Sequence, residues 1–307
     1  MTAKNKPFFK WSGGKRKEFH HVEELAPKQY DTFYEPFLGG GAVWLGLAPN
    51  KSVVGDFFDE VIMFYKTIGK HGDGFVKDVN NFSDTYKKKI TDNVDDKYKK
   101  LIDAKLLEQE SPERESQLKI LRKAAREQFG EAGKLYYHWR DGNHTSEYDL
   151  AKRFYILRCL SYGGMLRFNS QGKFNVPYGY YKTFKKLEWS EDLQVLFDNT
   201  TFHNQTWQKT VSTSTKNDFV FLDPPYTRQF KEYSADNVFG NKEHVELFEW
   251  FKSKQSKAMI ILNKDEFTEG LYKNFIVKEY PFKYSVKYRD RLSGEDASTY
   301  HFVAINY

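Results

Sequence analysis

Residues 32–56 read TFYEPFLGGGAVWLGLAPNKSVVGD, and the fold follows from their order. Residues 32–35 are a short aromatic and β-branched run, closed by Pro36, which cannot donate to a ladder. Gly39, Gly40 and Gly41 then form a turn, and Ala42–Leu47 is a helix-like stretch. Residues 51–55 are a second short strand that ends on Asp56. Residues 60–68 return to helical periodicity, with Val61, Phe64, Tyr65 and Ile68 on one face. Strand, glycine turn, helix, strand and terminal acid make the first half of a nucleotide-binding unit.

The whole chain has room for such a fold. Its 307 residues suit one large or two modest domains, and 27 Phe, 21 Tyr and 6 Trp are too much ring surface for an unfolded polymer. A single cysteine, Cys159, excludes an intramolecular disulfide framework and any cysteine-built metal site. The eight histidines show no ligand spacing, so no metal is expected. No run approaches the ~18 apolar residues of a membrane span, and residues 1–10 lack the apolar core of a signal peptide. The expectation is a soluble, cytoplasmic protein with no membrane partner. A net charge of +6, interleaved with aromatics, suits contact with phosphates and bases, or simply a basic globular protein.

Residues 70–130 change to dense mixed charge. Tyr98, Leu101, Ile102 and Leu106 recur at helical spacing, as do Leu118, Leu121, Ala125 and Phe129, with Ser111 and Pro112 as a break between them. A helical hairpin with solvated outer faces is expected, its lysines free to touch a polyanion. Residues 136–181 are rich in Tyr, Arg, Asn and Gly and read as a loop or hairpin with functional side chains at its tip. The sheet resumes with the fully apolar strand Phe219–Leu222, a helix at 245–251 and a strand at 258–262. Residues 276–288 and 299–306 alternate enough to close the sheet as a hairpin.

Three segments carry chemistry. Asp223, Pro224, Pro225 and Tyr226 follow the buried strand, where two prolines force a rigid loop at the carboxyl edge of the sheet. Carboxylate and carbonyl there can accept the two hydrogens of a planar amine, while the ring stacks on its heterocycle. The turn from Glu35 to Gly41 is followed by Asp56 at close to the ~20-residue spacing at which an acid meets the ribose of a nucleotide-like cofactor; tight packing is the alternative use of its glycines. At the amino terminus, Trp11, Gly13, Gly14 and Lys15 suit either closure over a cofactor carboxylate, with Lys15 as counter-ion, or a packed terminal arm. No Walker-type motif is present, which disfavours a nucleoside triphosphate.

Taken in order, these segments resemble the Dam-type DNA adenine methyltransferases, the alpha group of amino methyltransferases. The resemblance covers most of the chain: residues 9–15, 35–41, Asp56, Arg167 to Asn169 continuing through 172–179, and 223–226. It implies a Rossmann-like α/β sheet, mixed, with a terminal antiparallel hairpin. Residues 1–69 and 183–307 would be catalytic, and residues 70–182 an inserted, mainly helical target-recognition domain. S-adenosylmethionine would lie across Trp11, Lys15, Glu35, Pro36, Phe37, Gly39, Gly41 and Asp56, with Asp223 between cofactor and substrate.

Asp223, Pro224, Pro225 and Tyr226 would be the catalytic set, acting on an adenine flipped out of double-stranded DNA. Arg167 matches an arginine that reads a guanine in relatives; Asn169, Lys173, Tyr162 and Tyr233 are further candidates for DNA contact. The segment from Tyr162 to Leu166 is shorter than the aromatic-Asn-Gly-Leu tip usual in relatives. The expected target is GATC, the expected partners DNA and a cognate restriction endonuclease, and the expected assembly a monomer or weak dimer. The rival readings are methylation of RNA or of a protein amide, and a non-catalytic DNA-binding subunit.

Overall fold

The computed structural model describes residues 4–90, 112–225, 239–283 and 298–307. The chain divides into two compact units, Met1–Tyr65 with Glu191–Tyr307, and Lys66–Ser190.

The first unit is built on one seven-stranded sheet. Its strands are β1 (Phe33–Glu35), β2 (Ser52–Asp56), β3 (Thr200–Asn204), β4 (Phe219–Leu222), β5 (Lys257–Asn263), β6 (Ile276–Lys283) and β7 (Ser298–Ile305), in the spatial order β3-β2-β1-β4-β5-β7-β6. The pairs from β3 through β5 are parallel; β7 runs antiparallel between β5 and β6. Every residue of β1 and β4 is buried, as expected of parallel strands covered on both faces. Because β2 and β4 flank β1, the strand order reverses there, and such a reversal opens a crevice at the carboxyl ends of the strands.

Short helices cover the sheet: α1 (Phe19–Leu25), α2 (Ala42–Leu47), the start of α3 (Asp59–Lys88), and, after the strands resume, helices at Glu191–Asp198, Trp207–Val211, Asn241–Lys252 and Glu266–Tyr272. Val61, Phe64, Tyr65 and Ile68 are all fully or almost fully buried, as their spacing predicts. Helix α3 runs far beyond the expected residue 68 and kinks at Gly72. The terminal hairpin pairs Ile276 with Ala304 through Lys283 with Ser298. The expected end of its first strand at Tyr288 lies outside the described residues. Strand β3 has no counterpart in the sequence reading: it is an edge strand, mostly half-exposed and polar, so no apolar run marks it.

The second unit is helical. Beyond α3 it contains α4 (Pro112–Asp141) and α5 (Glu147–Leu160), which pack together. The four helical positions from Tyr98 to Leu106 lie outside the described residues, while Ala125 and Phe129 are buried along α4. The expectation of a loop or hairpin over 136–181 is corrected in its first half, where α4 continues to Asp141 and α5 follows. Ser146 caps α5 by accepting the Asp149 N–H (3.0 Å). Ala151, Phe154, Tyr155, Ile156, Leu157 and Leu160 are all buried, so apolar residues surround much of α5 and blur the one-sided pattern that identifies surface helices. The chain after α5 is irregular, with isolated bridges between Ser161 and Tyr178 and between Phe168 and Phe174. The Tyr86 and Tyr178 hydroxyls are hydrogen-bonded in the core, and the Tyr136 hydroxyl donates to the Val176 carbonyl (2.8 Å).

Among the described residues no helix is long and apolar enough to cross a membrane.

Candidate active site

A cavity of about 400 Å³ opens in the sheet unit beyond the ends of β1, β2 and β4. Each strand delivers a carboxylate to it. Glu35 ends β1, is only 3% exposed, and accepts the backbone N–H of Trp44 in α2 (2.9 Å). Burial, with Asp223 and Asp56 nearby, pushes its carboxyl well above the usual range. Asp56 ends β2 and accepts two backbone N–H groups, from Gly39 (2.8 Å) and Phe58 (2.9 Å). Burial outweighs those donors and raises its carboxyl to about 6.

Asp223 follows β4. Its side chain is 19% exposed, and Oδ1 lies 2.7 Å from the buried Nζ of Lys15. Lys15 also donates to the Gly13 carbonyl (2.9 Å). Burial raises the Asp223 carboxyl, and the Lys15 charge and hydrogen bond oppose that rise. Lys15, expected as counter-ion to a cofactor carboxylate or as part of a packed terminal arm, here meets a carboxylate of the chain itself. Pro224 and Pro225 bring carbonyls without N–H donors. The Pro225 carbonyl accepts from Nε2 of the fully buried His244 (3.1 Å), whose pKa burial lowers. Tyr226 and Tyr233 lie outside the described residues.

The glycine turn seats an indole. Gly39 has φ +47°, and a Cβ added to it would stand 2.5 Å from Trp11 Nε1; one on Gly40 would stand 2.8 Å from Trp11 Cβ. Gly41, at φ +61°, caps α2. Pro36, Phe37 and Trp11 also line the cavity, so every sequence-derived residue between Trp11 and Asp56 except Gly41 is at its wall.

Comparison with known proteins identifies the family. A family model described as D12 class N6 adenine-specific DNA methyltransferase matches residues 11–286. The chain belongs to that family. This D12 methyltransferase is similar to the type II methyltransferase M.CviBI of Paramecium bursaria Chlorella virus NC1A, with 29% identity over 98% of this chain and 100% of the relative. It is similar to the type II methyltransferase M1.LlaDCHI of Lactococcus lactis subsp. cremoris, with 30% identity over 90% of this chain and 88% of the relative. The DNA adenine methylase of Haemophilus influenzae is 26% identical over 88% and 83%. The family thus takes DNA adenine as its acceptor, which favours DNA over the RNA and protein-amide readings.

The sequence reading of this D12 methyltransferase missed several cavity residues. Phe57, 58% exposed, and Phe58 follow the motif acid directly, and their ring character beside Asp56 was the available signal. Gln205 and Thr206 follow β3 and went unseen with it. His244 sits on a helix whose pattern gave no hint of a loop contact.

In the helical unit, Arg167 is exposed and its Nε donates to Asn175 Oδ1 (2.8 Å). Asn169 builds the turn: its Oδ1 accepts the N–H groups of Gln171 (3.0 Å) and Lys173 (2.9 Å). Lys173 is exposed, as is Tyr162 at 60%. Asn175 holds the arginine through that bond and through its carbonyl, which accepts from Arg167 Nη2 (3.3 Å).

Proposed function

We propose that this D12 enzyme methylates the N6 amine of an adenine turned out of duplex DNA within GATC, with S-adenosylmethionine held in the sheet-unit cavity. The donor set suits that cofactor. A volume of about 400 Å³ is within the ~300–1,000 Å³ of small-molecule sites. Asp56 offers carboxylate oxygen to a ribose diol and Phe57 an exposed ring to a purine. Glu35 and Asp223 offer carboxyl oxygens to ammonium and sulfonium groups, and Lys15, held against Asp223, adds positive charge for a cofactor carboxylate. Trp11, Pro36, Phe37, Gly39 and Gly41 shape the wall and the turn. When bound, the cofactor supplies an electrophilic methyl group on a cationic sulfur.

The chain's own residues then have to orient a weak nucleophile. Asp223 and the Pro224 carbonyl accept the two amine hydrogens, which directs the nitrogen lone pair at the methyl carbon. His244 holds the loop by its bond to Pro225. As the nitrogen–carbon bond formed and the methyl–sulfur bond broke, with the electron pair leaving on sulfur as a neutral thioether, the amine proton would pass to Asp223 and on to solvent. Tyr226 stacks on the adenine and Tyr233 closes over it; unstacking the base costs a few kcal/mol. In the helical unit Arg167 reads a guanine, with Tyr162, Asn169 and Lys173 around it. The type II names of two relatives support a cognate restriction endonuclease as a partner, and the working assembly is a monomer or weak dimer.

The observation that carries this reading is Asp223 itself: a carboxylate at the cavity edge, left partly exposed, held by a buried lysine and followed by two prolines. The test is to incubate the protein with labelled S-adenosylmethionine and unmethylated duplexes with and without GATC, then identify the labelled nucleoside by mass. Label is expected in N6-methyladenine of the GATC duplex and should be lost in Asp223→Ala with DNA affinity within a fewfold. Unchanged turnover in Asp223→Ala would overturn the mechanism, and equal labelling of both duplexes the target.

A further inference from the structure

The hairpin that presents Arg167 is tied to helix α4 at a single backbone oxygen. Tyr136 and Arg140 are one helical turn apart on α4 and so share a face of it. The Tyr136 hydroxyl donates to the Val176 carbonyl at 2.8 Å, and Arg140 Nη1 donates to the same oxygen at 3.3 Å. Together they fill both lone pairs of that carbonyl. The two donors are themselves fixed. Tyr136 is fully buried, and Arg140 gives its Nε and Nη2 hydrogens to the carboxylate of Asp141 (2.7 and 2.9 Å) with its guanidinium over the Tyr137 ring at 4.6 Å. Pro177 follows Val176 and confines its backbone to extended geometry.

The clamped residue is next to the one that holds the reading arginine. Asn175 accepts Arg167 Nε on its side-chain oxygen and Nη2 on its backbone carbonyl, while its own N–H donates to the Arg167 carbonyl (3.0 Å). Those bonds occupy the side edge of the guanidinium and leave its end edge, with a hydrogen on each Nη, for a bidentate partner. A guanine presents O6 and N7 in the plane of the base, so the fork has to lie in that plane to meet both. A turn of the backbone at Val176 would carry Asn175 with it and tilt the fork.

We infer that Tyr136 and Arg140 are positioning residues for sequence reading: by clamping the Val176 carbonyl they hold Asn175, and through it the Arg167 fork, in the plane of the guanine. This rests on the assignment of Arg167 to a guanine. A clamp that only stabilised the helical unit would behave differently, because its loss would lower methylation of every duplex by the same factor.

The experiment uses the full chain with S-adenosylmethionine, the GATC duplex and duplexes substituted one base pair at a time, and reads discrimination as the ratio of kcat/KM values. Arg167→Ala marks the base pair that the arginine reads. Tyr136→Phe with Arg140→Met removes both donors to Val176, and should lose about fivefold or more of discrimination at that base pair and less than about twofold elsewhere. Each single variant keeps one donor and the packing around the other, and should show a smaller loss, about twofold or more, confined to the same base pair. In an Arg167→Ala background the double change should lower discrimination there no further.

Unchanged discrimination in both single variants, an equal loss at every base pair, or a further loss in the Arg167→Ala background overturns the inference. The single variants carry the test even if circular dichroism shows the double variant unfolded. An Arg167→Ala profile equal to wild type sinks the guanine reading and the inference with it. A relaxed Arg167→Ala profile beside wild-type profiles in the Tyr136 and Arg140 variants sinks the inference alone.

Discussion

Replacing Gly39 with alanine asks whether the glycine turn exists to seat Trp11. Two costs can be separated. At φ +47° an alanine is in the left-handed region, at roughly 1–2 kcal/mol. Its Cβ would also stand 2.5 Å from Trp11 Nε1 and 2.6 Å from Cδ1, so the indole must give by about 1 Å against the ~3.5–4.0 Å of an ordinary carbon contact. Overpacking of that kind costs about 1–3 kcal/mol. Gly40, which a side chain would bring to 2.8 Å from Trp11 Cβ, restrains the other end of the indole, so the ring's way out is into the cavity it lines. Gly39→Ala should therefore lose about 2–5 kcal/mol of stability and bind S-adenosylhomocysteine at least tenfold more weakly. In a Trp11→Ala background the same change should cost only the backbone share, about 1–2 kcal/mol. Urea unfolding of the four proteins gives the coupling, and calorimetric titration gives the affinity. Equal costs in both backgrounds would refute the packing argument and leave the glycine needed for backbone geometry alone.

Two further expectations concern single side chains. Asp56 has a folded value of about 6 against 3.8, so between those pH values the folded protein holds a proton that the unfolded chain has shed. Its contribution to stability is full below about pH 4 and falls by about 3 kcal/mol as pH rises through 6. The unfolding free energy of Asp56→Asn minus that of wild type should rise by that amount from pH 4 to 7, and parallel pH curves would contradict it. Arg167→Ala should lower discrimination at one base pair of the target by about 1–3 kcal/mol, read as methylation rates on duplexes substituted one position at a time; an unchanged rate profile would remove Arg167 from base reading.

How much of this was legible in the sequence depended on whether the signal was local. Residues 33–56 and 219–225 carry theirs within a few positions: apolar strand, proline or glycine, acid. The terminal hairpin was visible because β6 alternates, whereas β7, paired on both sides, buries four consecutive residues, His301 to Ala304. Strand β3 was not, since an edge position lets Thr200, Thr201 and Asn204 stand where an interior strand needs apolar residues. Helix α5 was hidden by burial on too many sides. The partners of Lys15 and Glu18 were beyond reach for another reason. Both side chains sit near the amino terminus, while Asp223 follows β4 and His301 is 283 residues away from Glu18; only the closing of the sheet brings them together. Spacing rules describe one helix or one loop and do not describe such a meeting.

The register of the sheet explains why three acids converge. Glu35 is level with Val54 of β2, and Tyr34 with Val220 of β4, which puts Glu35 level with Phe221. Asp56 and Asp223 are each two residues further along their strands than those partners. With a strand period of two, all three side chains are directed to the same side of the sheet. The flanking pair rises about 6.6 Å above the central Glu35, at about 3.3 Å per residue. A short middle strand between two longer neighbours therefore produces a cup with a buried acid at its base and an acid on each rim. Glu35 and Asp223 are each followed by proline, which ends ladder pairing at the acid and turns the backbone away, so the cup stays open. Burial raises all three carboxyls, and each is partly relieved, Glu35 by the Trp44 N–H, Asp56 by backbone N–H groups and Asp223 by Lys15.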